Sequence, residues 1–386
     1  MPRIYFDNAA TSWPKPEAVY RVVDECQRTI GAAAGRGGYR SALEAGRSVE
    51  RARQKLANLL HAGDTKQIVF ASNGTDALNL AIHGLLRPGD HVVTTVCEHN
   101  SVLRPLRHAI DTLGCEVDYV SCDSQGVVAA ATVQAVLRSN TRLVAIVHAS
   151  NVTGAIQPIA EVARFVQPHP ALLLVDAAQS VGRVPIDLRA MPIDLLAAPG
   201  HKGLLGPLGT GFLFVRAGVE SQLSPLRQGG TGSRSNEDSQ PLLMPDKFES
   251  GNLNVPALAG LAAGIDFVQQ HGVDSIRHQE EQLTKALIEG LQDLPGVTVY
   301  CPTNSHDRVA VVSIAITGYD PHELAAVLDS LHGIECRAGL HCAPRMHQAL
   351  GTEKLGGTVR FSLGCFTTTE EVETVVEAVG QIAKAS

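Results

Sequence analysis

The sequence predicts an α/β protein built on a mostly parallel seven-stranded sheet, with a smaller α/β unit capping it. Three observations carry that prediction. Between residues 67 and 215, short β-rich runs alternate with helical stretches: Gln67 to Phe70, His91 to Val96, Glu116 to Val120, Arg142 to Val147, Ala171 to Asp176, Ile193 to Ala197 and Gly211 to Val215. Several runs, Leu172-Leu173-Leu174-Val175 among them, are apolar throughout, as strands covered by helices on both faces must be. A Gly-, Ser- and Pro-rich stretch from Gln228 to Pro256 then interrupts the rhythm, and a shorter α/β pattern follows it.

Taken in order, residues 14 to 60 read as helices around a loop from Gly31 to Arg40. The seven β-rich runs come next. After the interruption, a long helical pattern runs from Ala257 to about Leu294 with a break at Gly272. Then come a strand from Val309 to Ile316, a helix from Pro321 to Leu331, a strand from Ile334 to Arg337, a strand from Thr358 to Leu363 and a closing helix from about Thr369. The division expected from this is a segment 1–30 packing with the small domain, a large domain 31–256, and a connecting helix with the C-terminal small domain over 257–386. No repeat or low-complexity segment interrupts the plan.

The 386 residues exceed what one core holds, and 44% apolar with 18% charged residues suits a globular α/β chain. A formal charge of −7 with no basic run argues against nucleic acid or an anionic membrane as partner. The start, Met1 to Asp7, has no apolar stretch behind a basic beginning, and no run reaches the eighteen or so apolar residues that span a bilayer, so the expected location is the cytoplasm. Eight cysteines without a CxxC pair are expected to be reduced thiols.

Ligands of such sheets bind beyond the carboxyl ends of the strands, so polar residues directly after the β-rich runs are the first candidates. Ser72-Asn73-Gly74-Thr75 opens a helical pattern, where free amides and the Thr75 hydroxyl suit a phosphate; an ordinary helix cap is the plain alternative. Asp176 ends an apolar strand. Its carboxylate suits a protonated ring nitrogen, and equally a helix cap or a metal. Lys202, in Pro199-Gly200-His201-Lys202-Gly203, follows another strand and precedes a glycine-rich stretch that lets backbone approach a ligand. A lysine held in a desolvated place forms Schiff bases; most lysines are simply solvated. His99 and Asn151 also stand at strand ends, as stacking and amide groups or as ordinary turn residues.

Cys342, in Cys336-Arg337-Ala338-Gly339-Leu340-His341-Cys342-Ala343-Pro344, is the candidate reactive thiol, because Arg337 and His341 favour a thiolate. A metal site of Cys336, His341, Cys342 and His347 fits no common zinc spacing, and a plain buried cysteine is the other alternative. Arg360 alternates onto one face with Thr358 and Ser362. There it suits either a bidentate clamp on a carboxylate or an ordinary salt bridge.

In this order, and with Asp7-Asn8-Ala9-Ala10-Thr11, these pieces resemble the class V aminotransferase family of fold-type I pyridoxal-phosphate (PLP) enzymes almost end to end. More narrowly they resemble its cysteine desulfurases, and Arg337 to Ala343 resembles the short-loop, SufS-type branch. The resemblance implies PLP as cofactor and no metal. Lys202 would hold PLP as a Schiff base, Asp176 would pair with the pyridine nitrogen, Gln179 would contact the ring hydroxyl and His99 would stack on the ring. Gly74, Thr75 and His201 would hold the phosphate. Asn8, Ala9, Asn151, Arg337 and Arg360 would bind substrate, and Cys342 would take its sulfur.

The implied partners are L-cysteine or L-selenocysteine, a second copy of the chain in a homodimer, and a sulfur-acceptor protein. Two departures bear on the cofactor. Pro199 stands where such enzymes often carry Ser or Thr. Glu249 to Asn254 replaces a Gly-Thr-Pro-Asn segment whose Thr reaches the other subunit's phosphate, leaving Asn252 as a donor. Other readings are a selenocysteine lyase or another class V aminotransferase or β-lyase, a catalytically silent scaffold of the same fold, and a nicotinamide enzyme. The last lacks a strand-linked glycine fingerprint.

Overall fold

A computed structural model describes residues 3–234 and 236–385. Its large sheet has seven strands in the spatial order Ile68–Ala71, Gly211–Val215, Leu195–Pro199, Leu172–Asp176, Thr141–Val147, His91–Thr95 and Glu116–Val120. The last five run parallel, and Gly211–Val215 is antiparallel to both its neighbours. Successive residues of one strand feed opposite cores. Leu173 and Val175 join Val144, Ile146 and Leu196 on one face, while Leu172 and Leu174 join Leu143, Ala145 and Leu195 on the other. Such a strand has no solvent side, so polar alternation is absent from its sequence.

The run expected from Ile193 begins two residues later, at Leu195. The reason is Asp194, whose carboxylate accepts the Leu173 amide at 2.8 Å and pairs with Arg216 at 3.4 Å, so this residue forms the strand's entrance. Further on, Gly272 takes φ 80° and divides the connecting helix into Val255–His271 and Val273–Gln292.

A second, antiparallel sheet has the order Arg337–Gly339, Thr358–Ser362, Val311–Ile316, Val297–Tyr300. Val312, Ile314, Val359 and Phe361 fill its core against Leu287, Leu328 and Val375 from the helices. The expected strand from Ile334 to Arg337 is in fact two. Ile334–Glu335 pairs in parallel with Ile4–Tyr5, and Arg337–Gly339 turns to join Thr358–Ser362. The N-terminal helix Glu17–Thr29 packs against Val255–His271. Among the described residues no helix is long and apolar enough to cross a membrane.

Candidate active site

One cleft gathers strand ends and helix starts. Val147, Asp176 and Pro199 enter it from three parallel strands, and Gly74, Thr75, His99 and Ser101 from the beginnings of the helices Gly74–Leu85 and Asn100–Leu113. Its volume is about 500 Å³, including the part open to solvent.

Lys202 reaches this cleft from the loop after Leu195–Pro199. That loop is fixed through the His201 carbonyl, which accepts the Ser12 amide at 3.0 Å, the Thr11 hydroxyl at 3.1 Å and the Lys15 ammonium at 2.8 Å. Only glycine fits at 200, where a Cβ would lie 2.3 Å from Thr210 Oγ1. Burial lowers the Lys202 amine from 10.5 to about 8; Asp176 opposes this, and the charges of Arg360, Arg183 and Arg337 add to it.

Asp176 is 3% exposed and accepts the Ala178 amide at 2.9 Å. Burial pushes its carboxyl up, while that amide and Lys202 draw it down. Gln179 donates from Nε2 to the Ala9 carbonyl at 2.9 Å, and Asn151 donates from Nδ2 to the His341 carbonyl at 2.6 Å. Among the described residues, Gln179 Oε1, Asn151 Oδ1 and His201 Nδ1 are buried without a partner. Three residues of the cleft wall thus each keep a polar atom that a ligand can satisfy.

His99 caps its helix by accepting the Ser101 amide on Nδ1 at 3.0 Å, which places the ring proton on Nε2. Burial first, then the charges of Lys202, Arg337 and Arg360, lower its imidazole to about 3, so the ring is neutral. Asn73 caps the neighbouring helix by accepting the Asp76 amide at 2.9 Å. The amides of Gly74 and Thr75 have no partner among the described residues and stand free for an anion.

At the small sheet, Arg337 Nη2 donates to Cys342 Sγ at 3.2 Å, and the partly exposed thiol sits in a loop where His341 and Cys342 both take positive φ, 48° and 59°. Arg360, 1% exposed, donates to Asp7 Oδ1 at 2.6 Å and to the Asn151 carbonyl at 3.1 Å. The salt bridge left open by the sequence is therefore present, yet its Nε has no partner among the described residues.

Not every expected residue meets the cleft. Asn8, expected in the pocket wall, donates to the Ser362 and Tyr5 carbonyls and accepts the Trp13 amide, so its side chain holds the N-terminal turn, and Ala9 is the residue that touches Gln179. Asn252 is exposed and does not line this chain's own cleft. Two residues emerge that sequence reasoning missed. Ser101 Oγ bridges Thr75 Oγ1 at 2.7 Å and His99 Nδ1 at 2.8 Å. Glu98, wholly buried, accepts the Thr95 hydroxyl at 2.6 Å and the Val147 amide at 3.0 Å, and burial pushes its carboxyl up to about 8.

Comparison with known proteins bears on this geometry. The family model "Aminotransferase class-V" matches residues 4–375. The chain belongs to the class V aminotransferase family. Within that family it is 37% identical to a probable cysteine desulfurase of Methanothermobacter thermautotrophicus, over 98% of this chain and 94% of the relative. It is 31% identical to a cysteine desulfurase of Haloferax volcanii, over 98% and 89% of the two chains. Among solved structures, the apo cysteine desulfurase of Thermococcus onnurineus NA1 superposes with a TM-score of 0.92 at 34% identity, covering 100% of this chain and 95% of that one. The cysteine desulfurase CsdA of Escherichia coli, solved as an S-sulfonic acid, gives 0.89 at 26% identity, covering 99% and 95%. The mixed α/β architecture of this class V aminotransferase, with its mostly parallel seven-stranded sheet, is thus that of fold-type I enzymes.

Proposed function

We propose that this chain is a PLP-dependent cysteine desulfurase, which moves sulfur from L-cysteine to Cys342 and leaves L-alanine. The observation that carries the reading is that the Lys202 cleft and the Arg337-held thiol of Cys342 are joined by one residue, Asn151, which borders the cleft and holds the His341 carbonyl. The names of the relatives support it.

The cleft fits the cofactor by its own chemistry. Gly74, Thr75 and His201 would take the phosphate, Asp176 the ring nitrogen, the free Gln179 Oε1 the ring hydroxyl, and the neutral face of His99 the ring. When bound, PLP supplies an electron sink for bond breaking at the substrate Cα. Lys202, with its amine lowered to about 8, takes the Cα proton. Asp176 would favour a proton on the ring nitrogen by its opposite charge. Arg360 Nε and Asn151 Oδ1, both buried without a partner among the described residues, would take the carboxylate end of the substrate. Cys342, whose sulfur Arg337 Nη2 meets at 3.2 Å, would attack the substrate sulfur after giving up its thiol proton. A sulfur–sulfur bond forms, the Cβ–S bond breaks with its electron pair passing to carbon, and protonation of that skeleton gives alanine.

The test is alanine released from L-cysteine by the PLP-loaded protein, wild type against Cys342→Ala, at one reductant concentration. Release lost in the variant supports the reading. Equal release makes the enzyme a lyase that bypasses Cys342, and release from neither removes cysteine as the substrate. In the same samples Lys202→Ala lacks the visible cofactor band; a band that survives borohydride-sensitive would reject Lys202 as the anchor. The reading extends to a homodimer in which Asn252, exposed on its own chain, would reach a second copy.

A further inference from the structure

Two successive residues that are not glycine, His341 at φ 48° and Cys342 at φ 59°, hold left-handed backbone. L-residues avoid that region, and a pair of them persists only where the surroundings fix it. Here the fixing groups come from both sheets. From the large-sheet side, the Asn100 amide donates to the Cys342 carbonyl at 2.7 Å and Asn151 donates to the His341 carbonyl. Just beyond the thiol, Ala343 and Met346 are buried in the large sheet's core. From the small-sheet side, Arg337 meets the Cys342 sulfur, and the His341 ring, 2% exposed, bonds through Nε2 to Thr358 Oγ1 at 3.1 Å.

Thr358 begins the strand that carries Arg360, and Arg360 lies opposite Arg337 in the strand register. The ring-to-hydroxyl bond therefore ties the loop's backbone to the strand that presents Arg360. The His347 ring, centred 5.5 Å away and bonded through Nδ1 to Thr352 Oγ1 at 2.8 Å, closes the other side of His341.

We propose that His341 is a positioning residue for Cys342: its bond to Thr358 holds the left-handed pair in place and so aims the thiol for sulfur transfer. This rests on the desulfurase reading above, and its experiment separates the two. In PLP-loaded His341→Ala, persulfide formation on Cys342 is expected to fall about tenfold, as a misplaced nucleophile does, while exchange of the substrate α-proton stays within about twofold. Thr358→Val should show the same split. His341→Asn tolerates left-handed backbone but does not reach Thr358, so it should share the loss.

In the cofactor-free protein, maleimide should label Cys342 about threefold faster in His341→Ala, because the loop opens more often, with labelling of the half-buried Cys336 unchanged. Four results would overturn the proposal: unchanged persulfide formation, a Thr358→Val or His341→Asn protein behaving as wild type, proton exchange falling as far as sulfur transfer, or unchanged Cys342 labelling. If the wild type forms no persulfide, the desulfurase reading fails. The labelling difference still decides whether His341 fixes the thiol.

Discussion

Lys202 illustrates how a residue's burial sets its chemistry before any ligand arrives. Its folded amine titrates near 8 and an unfolded one near 10.5, so between these values the unfolded chain holds more protons and stability rises with pH. Below about pH 8 both states are charged and the cost of burying the cation is present in full. In the cofactor-free protein, Lys202→Met should therefore melt higher than wild type at pH 7, with the difference shrinking as pH climbs from 8 to 10.5; a difference independent of pH would contradict the assignment. The legible residues were those whose neighbours announce them: Asp176 closing an apolar run, Lys202 among glycines, Cys342 beside an arginine. Glu98 and Ser101 had no such signal. Nothing in Cys97-Glu98-His99-Asn100-Ser101 tells that the glutamate turns inward to bridge Thr95 and Val147, or that the serine joins Thr75 to His99.

At the scale of elements, the cleft depends on how closely three pieces of backbone meet. A Cβ on Gly211 would lie 2.5 Å from the Asn73 carbonyl carbon, and one on Gly74 would lie 3.1 Å from Pro199 Cδ, so the Gly74–Leu85 helix begins directly against two strand ends. Pro199 brings no hydroxyl to that junction. Pro199→Ser adds one beside the free Gly74 and Thr75 amides, and PLP should bind about tenfold more tightly, a gain of the size one bond to a charged group contributes. Equilibrium titration of the cofactor-free protein reads it directly. The buried strands were legible because each carries an uninterrupted apolar run. Val297–Tyr300 was not, being a short edge strand with mostly half-buried side chains, and the change of sheet at Cys336 was not, because Ile334 to Arg337 reads as one continuous strand.

Across the whole molecule, the segment between the two α/β patterns is held by a buried ion pair. Arg53, on the helix Arg40–Leu59, reaches Glu249 through Nη1 at 2.8 Å and Nη2 at 2.9 Å, and the same carboxylate accepts the Phe70 amide at 2.6 Å. Glu249→Ala leaves a guanidinium that is 2% exposed with only the solvent-facing Glu50 as carboxylate partner, and should cost about 3 kcal/mol of unfolding free energy, measured by denaturant titration. The division into a large sheet and a smaller one could be read from the rhythm of the sequence. That Ile4–Tyr5 pairs with Ile334–Glu335 in a two-stranded sheet of its own could not, since strand partners so far apart leave no local mark. That pairing constrains the order of events at the ribosome. All seven strands of the large sheet have been made by Val215, whereas Arg3 waits for Glu335, 332 residues later, before the chain's beginning finds its place. Until then Phe6, which the finished protein buries against Phe361, lacks its cover, and the Thr11 and Ser12 bonds to the His201 carbonyl lack a fixed N-terminal segment, so the loop carrying Lys202 is expected to be fixed late in synthesis.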